Sequence, residues 1–336
     1  MTKSSRNKTI ETDIIEGAQY LERCLDGAAL AQGVATCCDA LAEGKGTKVA
    51  TDQGTSARLA EAPACKTICG DTLQVMRILP EKFADLIIAD PPYNLNKDYN
   101  GKRFGKMDDV SYEIYTREWI ETVKPLLKEN GSIYVCCDWE SSLIIGRVLG
   151  EYFHVRNRIT WQREKGRGAR SNWKNSMEDI WFATASSEYT FNLDDVKVRR
   201  PVIAPYKEDG RPKDWVETED GRFRDTCPSN FWNDLTVPFW SMSENTAHPA
   251  QKPEKLIAKL ILASSNEGDM VFDPFLGSGT TSVTAKKLGR QYLGVEMEPK
   301  YCVWAEQRLA MAEQDSTIQG YEDHVFWERN IKGNRK

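Results

Sequence analysis

The run Asp85-Leu86-Ile87-Ile88-Ala89 constrains this fold more than any other stretch. Its apolar residues are consecutive, so an extended segment here buries both faces. Strands of a parallel sheet read this way, because helices cover both sides. The run passes straight into Asp90-Pro91-Pro92-Tyr93 and then into a Gly/Lys/Asn-rich stretch over 94–109. Parallel strands need a crossover between them, and the flanking sequence supplies it. Thr67-Ile68-Cys69 predicts a short strand, followed by a helix with Leu73, Met76 and Leu79 inward. Further on, the pattern predicts a helix over 111–127, a strand over 132–136, a helix over 141–149 and a strand over 154–161. It resumes after His248 with a helix over 253–264 that Pro253 opens. A strand over 270–272, a helix over 280–288, a strand over 291–296 and a helix over 300–311 follow. Strand and helix in alternation argue for an α/β fold whose one parallel sheet is assembled from two stretches of chain.

Between those stretches the alternation fails. Over 162–247 only 179–184 reads as strand, and Pro, Trp and charge dominate the rest. The chain is acidic, with a net charge of -5 over 336 residues, yet this region is locally basic. Arg156 to Lys174 holds seven basic residues against one acidic, and Lys197 to Lys213 holds six against two. Trp161, Trp173, Tyr206 and Trp215 interleave with these charges, and rings among cations suit stacking on bases. Arg163, Lys165, Arg167, Arg170, Lys174, Arg199 and Arg200 are the candidate nucleic-acid contacts. Residues 1–64 differ again, with two weak helical stretches (12–25 and 28–43) and flexible-reading segments at 44–46 and 51–56. The expected organisation is an N-terminal extension over 1–64, helical or partly disordered, and one half of a nucleotide-binding sheet over 65–161. An insert over 162–247, the second half over 248–315 and a tail over 316–336 complete it.

Several classes are disfavoured. No apolar stretch reaches the length of a membrane span, and Met1 to Ile10 is polar, unlike a signal peptide. The cytoplasm is the expected compartment. None of the nine cysteines forms a Cys-x-x-Cys pair, and the three histidines are widely spread, so no metal site is expected.

Two motifs carry chemistry. Val271 to Thr281, with Asp273-Pro274-Phe275-Leu276-Gly277-Ser278-Gly279-Thr280, reads as a strand ending in a glycine turn that opens a helix. Such a turn brings backbone close to a ligand and offers free N–H groups. Glu296 ends the next strand, near the spacing at which an acid takes ribose hydroxyls. The three-glycine dinucleotide pattern is incomplete, which disfavours NAD. Asp-Pro-Pro-Tyr is the sharper signal. Two prolines fix two φ angles and remove two donors. The stiff loop offers the Asp90 carboxylate and the Pro91 carbonyl as fixed acceptors. Aimed at an exocyclic amine, they would hold its lone pair toward an electrophilic methyl group, with Tyr93 stacked on the base.

Together these motifs resemble the amino-methyltransferases of DNA, in particular the β class, in which the catalytic motif precedes the cofactor motif. Gly70-Asp71, Asn94-Leu95, Gly131 to Val135, His248-Pro249-x-Gln251-Lys252-Pro253 and Leu288 to Glu296 extend the resemblance over roughly 66–312. It implies a Rossmann-like S-adenosylmethionine methyltransferase sheet with helices on both faces, and it makes the insert a target-recognition region. Asp90, Pro91, Pro92 and Tyr93 become the catalytic loop. Asp71, Lys252, Asp273, Pro274, Phe275, Gly277, Ser278, Gly279, Thr280 and Glu296 become contacts for S-adenosyl-L-methionine. Double-stranded DNA is the implied substrate, flipped at the target base, with a homodimer and a cognate restriction endonuclease as implied partners. The leading Asp favours adenine N6 over cytosine N4. A non-catalytic nucleic-acid-binding module is the alternative of another class. The chain has no Pro-Cys dipeptide, the nucleophile signature of cytosine-C5 enzymes.

Overall fold

A computed structural model describes residues 6–42, 58–167, 171–202, 207–209, 211–212, 214–218 and 221–329. The flexible-reading segments at 44–46 and 51–56, together with Arg170 and Tyr206, lie outside the described residues.

In chain order the first elements are α1 (Ala18–Leu21), β1 (Leu25–Asp26), α2 (Gly27–Ala42), β2 (Lys66–Cys69), α3 (Thr72–Ile78) and β3 (Ala84–Ala89). A small hairpin, β4 (Lys97–Tyr99) and β5 (Lys102–Phe104), precedes α4 (Asp109–Val123), β6 (Leu127–Cys137), α5 (Trp139–Tyr152), β7 (His154–Arg167) and β8 (Asn175–Thr184). Short strands follow: β9 (Val198–Pro201), β10 (Lys207–Glu208), β11 (Arg211–Pro212), β12 (Val216–Thr218), β13 (Gly221–Thr226) and β14 (Phe231–Trp232). The chain closes with α6 (Glu254–Ser264), β15 (Met270–Asp273), α7 (Thr280–Lys287), β16 (Gln291–Glu296), α8 (Pro299–Ala312), β17 (Tyr321–Glu322) and β18 (Val325–Trp327).

Nine strands form the central sheet in the order β1-β2-β16-β15-β3-β6-β8-β7-β14. Every pairing is parallel except those of β8, which runs against both β6 and β7. The apolar run at 85–89 is central, with β15 on one side and β6 on the other. Its alternate residues serve two cores. Ile87 and Ala89 pack with Val75, Met76, Trp119, Ile120 and Val148 from α3, α4 and α5. Leu86 and Ile88 pack with Leu256, Ile257, Leu260, Val283 and Leu309 from α6, α7 and α8. This is the three-layer α/β arrangement expected of the Rossmann-like class.

The winding leaves β3 toward β6 and leaves β15 toward β16. The switch point therefore lies between β15 and β3, paired at Val271–Leu86 and Phe272–Ile87. Ligands bind at such points in open α/β sheets, beyond the strand C-termini. Asp90 and Asp273 both stand there, although far apart in sequence.

Four features differ from the sequence expectations. The N-terminal stretch places β1 on the edge of the central sheet beside β2, and Ile10 bridges to Thr246 and packs with Tyr301, Val303 and Trp304. The expected start of the insert at 162 falls inside β7, and β8 lies wholly within the sheet. Cross-strand pairing extends these strands past the point where polar residues hide their pattern. Finally, β17 and β18 join β9, β12 and β13 in a five-stranded sheet, so the expected tail is packed structure as far as Arg329. Pro253 is the cap before α6 and not its first residue, with extended ψ of 142°.

Candidate active site

The two motifs line one cavity of about 390 Å³ at the switch point. The catalytic loop is pinned from outside. Tyr112 on α4 donates its hydroxyl to the Pro92 carbonyl at 3.1 Å, and Asn94 N–H donates to Ser141 Oγ of α5 at 3.1 Å. The Asn94 side chain accepts from Met107 N–H and donates to the Met107 carbonyl. A loop stiffened by two prolines is thus held at both helices that flank β6.

At the catalytic end Asp90 meets two donors. Tyr93 Oη donates to Oδ1 at 2.8 Å and Lys252 Nζ to Oδ2 at 2.6 Å. A second buried carboxylate, Glu178 on β8, faces the same donors and is held from behind by Arg163 Nη1 at 2.5 Å. Lys252 also lies over the Tyr93 ring, 5.3 Å from its centroid. Burial opposes the Lys252 ammonium, but Asp90 and Glu178 outweigh it and its pKa rises above the ordinary lysine value. Burial first, then the same two acids, push Tyr93 well above the usual phenol range. Tyr93 is therefore a neutral hydroxyl and Lys252 a cation at neutral pH.

At the other end the glycine turn shapes the cavity. Gly279 has φ of +86°, and a Cβ there would lie 2.7 Å from Ala305 Cβ on α8. Gly277 has φ of +55° and backs onto the His248 ring. Both positions need glycine for conformation and for room. Glu296 accepts from Gly277 N–H at 2.8 Å and Glu298 N–H at 2.7 Å. Asp273 accepts from Phe275 N–H at 2.9 Å. Burial raises both carboxyls to about 7 despite these donors. His248 is driven down to about 3 by burial, so it is a neutral wall, edge-on to Tyr301. Phe275, Tyr115 and Trp119 give the cavity apolar sides.

Asp71 caps α3 through Gln74 N–H at 2.9 Å and also lines the cavity. Thr72 Oγ1 bonds the Pro274 carbonyl at 2.6 Å, joining β2's end to the glycine turn. Asp71, Asp90, Pro91, Pro92, Tyr93, Lys252, Asp273, Phe275, Gly277, Ser278, Thr280 and Glu296 therefore share one cavity wall. Pro274 and Gly279 shape the turn without lining it. Lys252, expected among the cofactor contacts, has its ammonium on Asp90.

The basic residues are less unified. Arg163 reaches the active site through Glu178. Lys174 is exposed, while Lys165 and Arg167 belong to β7. Arg199 and Arg200 lie on β9 in the small sheet, paired with Asp225 at 2.7 Å and Glu328 at 3.3 Å. Of the interleaved rings, Trp161 and Trp215 are buried and unavailable to bases, because apolar burial claims them. Trp173 is 92% exposed.

Sequence reasoning missed Glu178, whose signal is an acid pair entering an apolar strand (Met177-Glu178-Asp179-Ile180). It also missed Arg308. That buried guanidinium donates to the Ser278 carbonyl at 2.8 Å and pairs with Glu254 at 2.9 Å.

The DNA methylase family with N6/N4 specificity matches residues 84–307, which take in both motifs. The chain belongs to this DNA methylase family. It is 34% identical to the type II methyltransferase M.HpaI of Haemophilus parainfluenzae over 76% of each chain. It is 33% identical to the DNA adenine methyltransferase YhdJ of Escherichia coli K12, covering 74% of this chain and 83% of that one. Among solved structures, PvuII DNA methyltransferase (cytosine-N4-specific) shares the fold, with a TM-score of 0.54 and 17% identity over 76% of this methylase and 93% of that chain. No helix among the described residues of the methylase is long and apolar enough to cross a membrane.

Proposed function

We propose that this DNA methylase transfers a methyl group from S-adenosyl-L-methionine to adenine N6 at a specific site in double-stranded DNA. The observation that carries the reading is the shared cavity, with the Asp-Pro-Pro-Tyr loop at one end and the glycine turn with Glu296 at the other. The relatives named as adenine and type II methyltransferases support it, as does Asp at the head of the loop.

The residues fit the cofactor. Glu296 suits the ribose hydroxyls, and Phe275, Tyr115 and Trp119 suit the adenine ring. Gly277 and Gly279 allow close backbone approach. Asp71, Asp273, Pro274, Ser278 and Thr280 complete this end. S-adenosyl-L-methionine, when bound, supplies a methyl group on a positively charged sulfur.

The protein's own residues do the rest. Tyr93 stacks on the flipped base. Asp90 and the Pro91 carbonyl accept the two N–H groups of the amine, which aims its lone pair at the methyl. Lys252 donates to the other Asp90 oxygen and orients the carboxylate. The buried walls exclude water, so these fixed acceptors act in a low dielectric. As N6 gains positive charge, the Asp90 carboxylate stabilises it, and the surplus proton leaves through the same acceptor. Arg163, Lys165, Arg167, Arg170 and Lys174 contact the DNA backbone in this reading. Arg199 and Arg200 serve a second contact on the small sheet.

A cognate restriction endonuclease and a homodimer belong to the same proposal. Val110 and Ile114 on α4, with Trp139 and Leu143 on α5, expose apolar side chains on two helices packed together, which supports a second copy there. Sedimentation of the purified protein tests it. Incubation with labelled S-adenosyl-L-methionine and mixed DNA tests the activity. Label in DNA as N6-methyladenine is expected, and DNA binding without label would instead favour a non-catalytic module.

A further inference from the structure

Two donors in the pocket stand between the same two carboxylates. Tyr93 Oη is 2.8 Å from Asp90 Oδ1 and 3.3 Å from Glu178 Oε2. Lys252 Nζ is 2.6 Å from Asp90 Oδ2 and 3.5 Å from the same Glu178 oxygen. A hydroxyl has one proton to donate, so Tyr93 serves one acid at a time. As the protein stands, both oxygens of Asp90 are engaged. One of those oxygens must turn to an N–H of the target amine, beside the Pro91 carbonyl that takes the other.

Glu178 is built to take these donors over. Its other oxygen is fixed by Arg163 at 2.5 Å, which leaves Oε2 turned to Tyr93 and Lys252. Its side chain is 8% exposed, so water does not compete for it. Two carboxylates and two cations make the group neutral in sum. Moving donors from one acid to the other therefore adds no net charge to the buried pocket. The displacement is small, from 3.3 Å to ordinary hydrogen-bond length.

We propose that Glu178 is a positioning residue for methyl transfer: it accepts the Tyr93 hydroxyl and draws the Lys252 ammonium when the target amine occupies Asp90. The inference rests on the reading of Asp90 as the amine's acceptor. Without Glu178, the Tyr93 hydroxyl stays on Asp90 and competes with the substrate.

The test compares Glu178→Met, Tyr93→Phe and the double variant in single-turnover methylation of adenine-containing duplex DNA. S-adenosyl-L-methionine binding and thermal unfolding are followed in parallel. Methionine keeps the volume and removes the acceptor. Glu178→Met should slow methyl transfer about 10-fold or more, the scale of a lost charge-assisted hydrogen bond, with cofactor affinity unchanged. Adding Tyr93→Phe should then restore the rate about 3-fold or more, because the competing hydroxyl is gone. A merely structural Glu178 would give losses that multiply. No rescue in the double variant, or a Glu178→Met rate within twofold of wild type, overturns the proposal. If Glu178→Met fails to unfold cooperatively, the pair is read in Glu178→Gln, where rescue by Tyr93→Phe should be smaller but of the same sign; its absence there is equally decisive. Methyl transfer that survives in Asp90→Ala would defeat the underlying reading separately, before any Glu178 variant is compared.

Discussion

Glu296 shows how one buried side chain couples cofactor binding to pH. Burial raises its carboxyl to about 7, so the folded protein holds this proton more tightly than the unfolded chain does. Its contribution to stability is therefore lost as pH climbs from about 4 to about 7. Ribose hydroxyls bond best to the ionised form. S-adenosyl-L-methionine should thus bind more tightly as pH rises from 6 to 8, and Glu296→Gln should reduce the difference, with Asp273, also raised to about 7, supplying the remainder. Calorimetric titration at several pH values checks this; an unchanged pH dependence in the variant would remove Glu296 from the ribose role. His248 does not confuse the result, because its depressed value of about 3 keeps it neutral throughout. Lys252 offers a second residue-scale prediction. Lys252→Met leaves Asp90 and Glu178 facing each other without their shared cation. Methyl transfer should fall by about 100-fold or more, the scale of a lost buried charge partner. Stopped-flow or quench measurements with saturating cofactor read that loss. The placement of Asp90 and Glu296 at one cavity was legible in sequence because each stands at the end of an apolar strand. Glu178 was not, since nothing local says which distant lysine an acid will meet.

At the scale of elements, the glycine turn depends on what packs behind it. Gly279→Ala would put a Cβ 2.7 Å from Ala305 in a left-handed conformation. A cost of about 1–3 kcal/mol is expected, with weakened cofactor binding, and urea unfolding with binding titration measures both. Arg308→Met removes the guanidinium that ties α8 to the turn and to Glu254 on α6. It should destabilise the protein by about 3–5 kcal/mol, partly offset because Lys287 also pairs with Glu254 at 2.8 Å. Denaturant midpoints without a change of slope would show the loss directly. The elements of the sheet were read closely from sequence, and β16 matches its expected span over 291–296. Strands β6, β7 and β8 run longer than expected because cross-strand pairing stabilises polar positions that show no period of their own. The small strands from β9 to β14 were invisible for the opposite reason: at two to six residues they carry too little pattern to separate from loop.

For the whole molecule, the sheet brings two distant motifs to one switch point, and the stretch around Ile10 braces α8 beside it. Ile10 bridges to Thr246 and packs on α8 beside the cofactor turn. Ile10→Ala should cost about 2 kcal/mol or more and lower the unfolding temperature by a few degrees in a calorimeter, although it touches no motif. The parallel pairings of the sheet followed from strand–helix alternation, but the antiparallel setting of β8 against β6 and β7 did not. The packing of Ile10 and of β18 did not, because their partners at Thr246 and Val198 lie more than a hundred residues away and the local composition is bland. The basic insert was read from charge alone. Among the described residues, Arg163 reaches the pocket while Arg199 and Arg200 take acid-paired positions on the small sheet. The central claim is that Asp90 orients an adenine amine for methylation. Nucleoside mass spectrometry of DNA from cells expressing the wild-type chain or Asp90→Ala tests it most directly. N6-methyldeoxyadenosine should appear with the wild type and fall to background with the variant, while cofactor binding by the purified variant persists. N4-methyldeoxycytidine in place of the adenine product, or methylation that survives in Asp90→Ala, would contradict it.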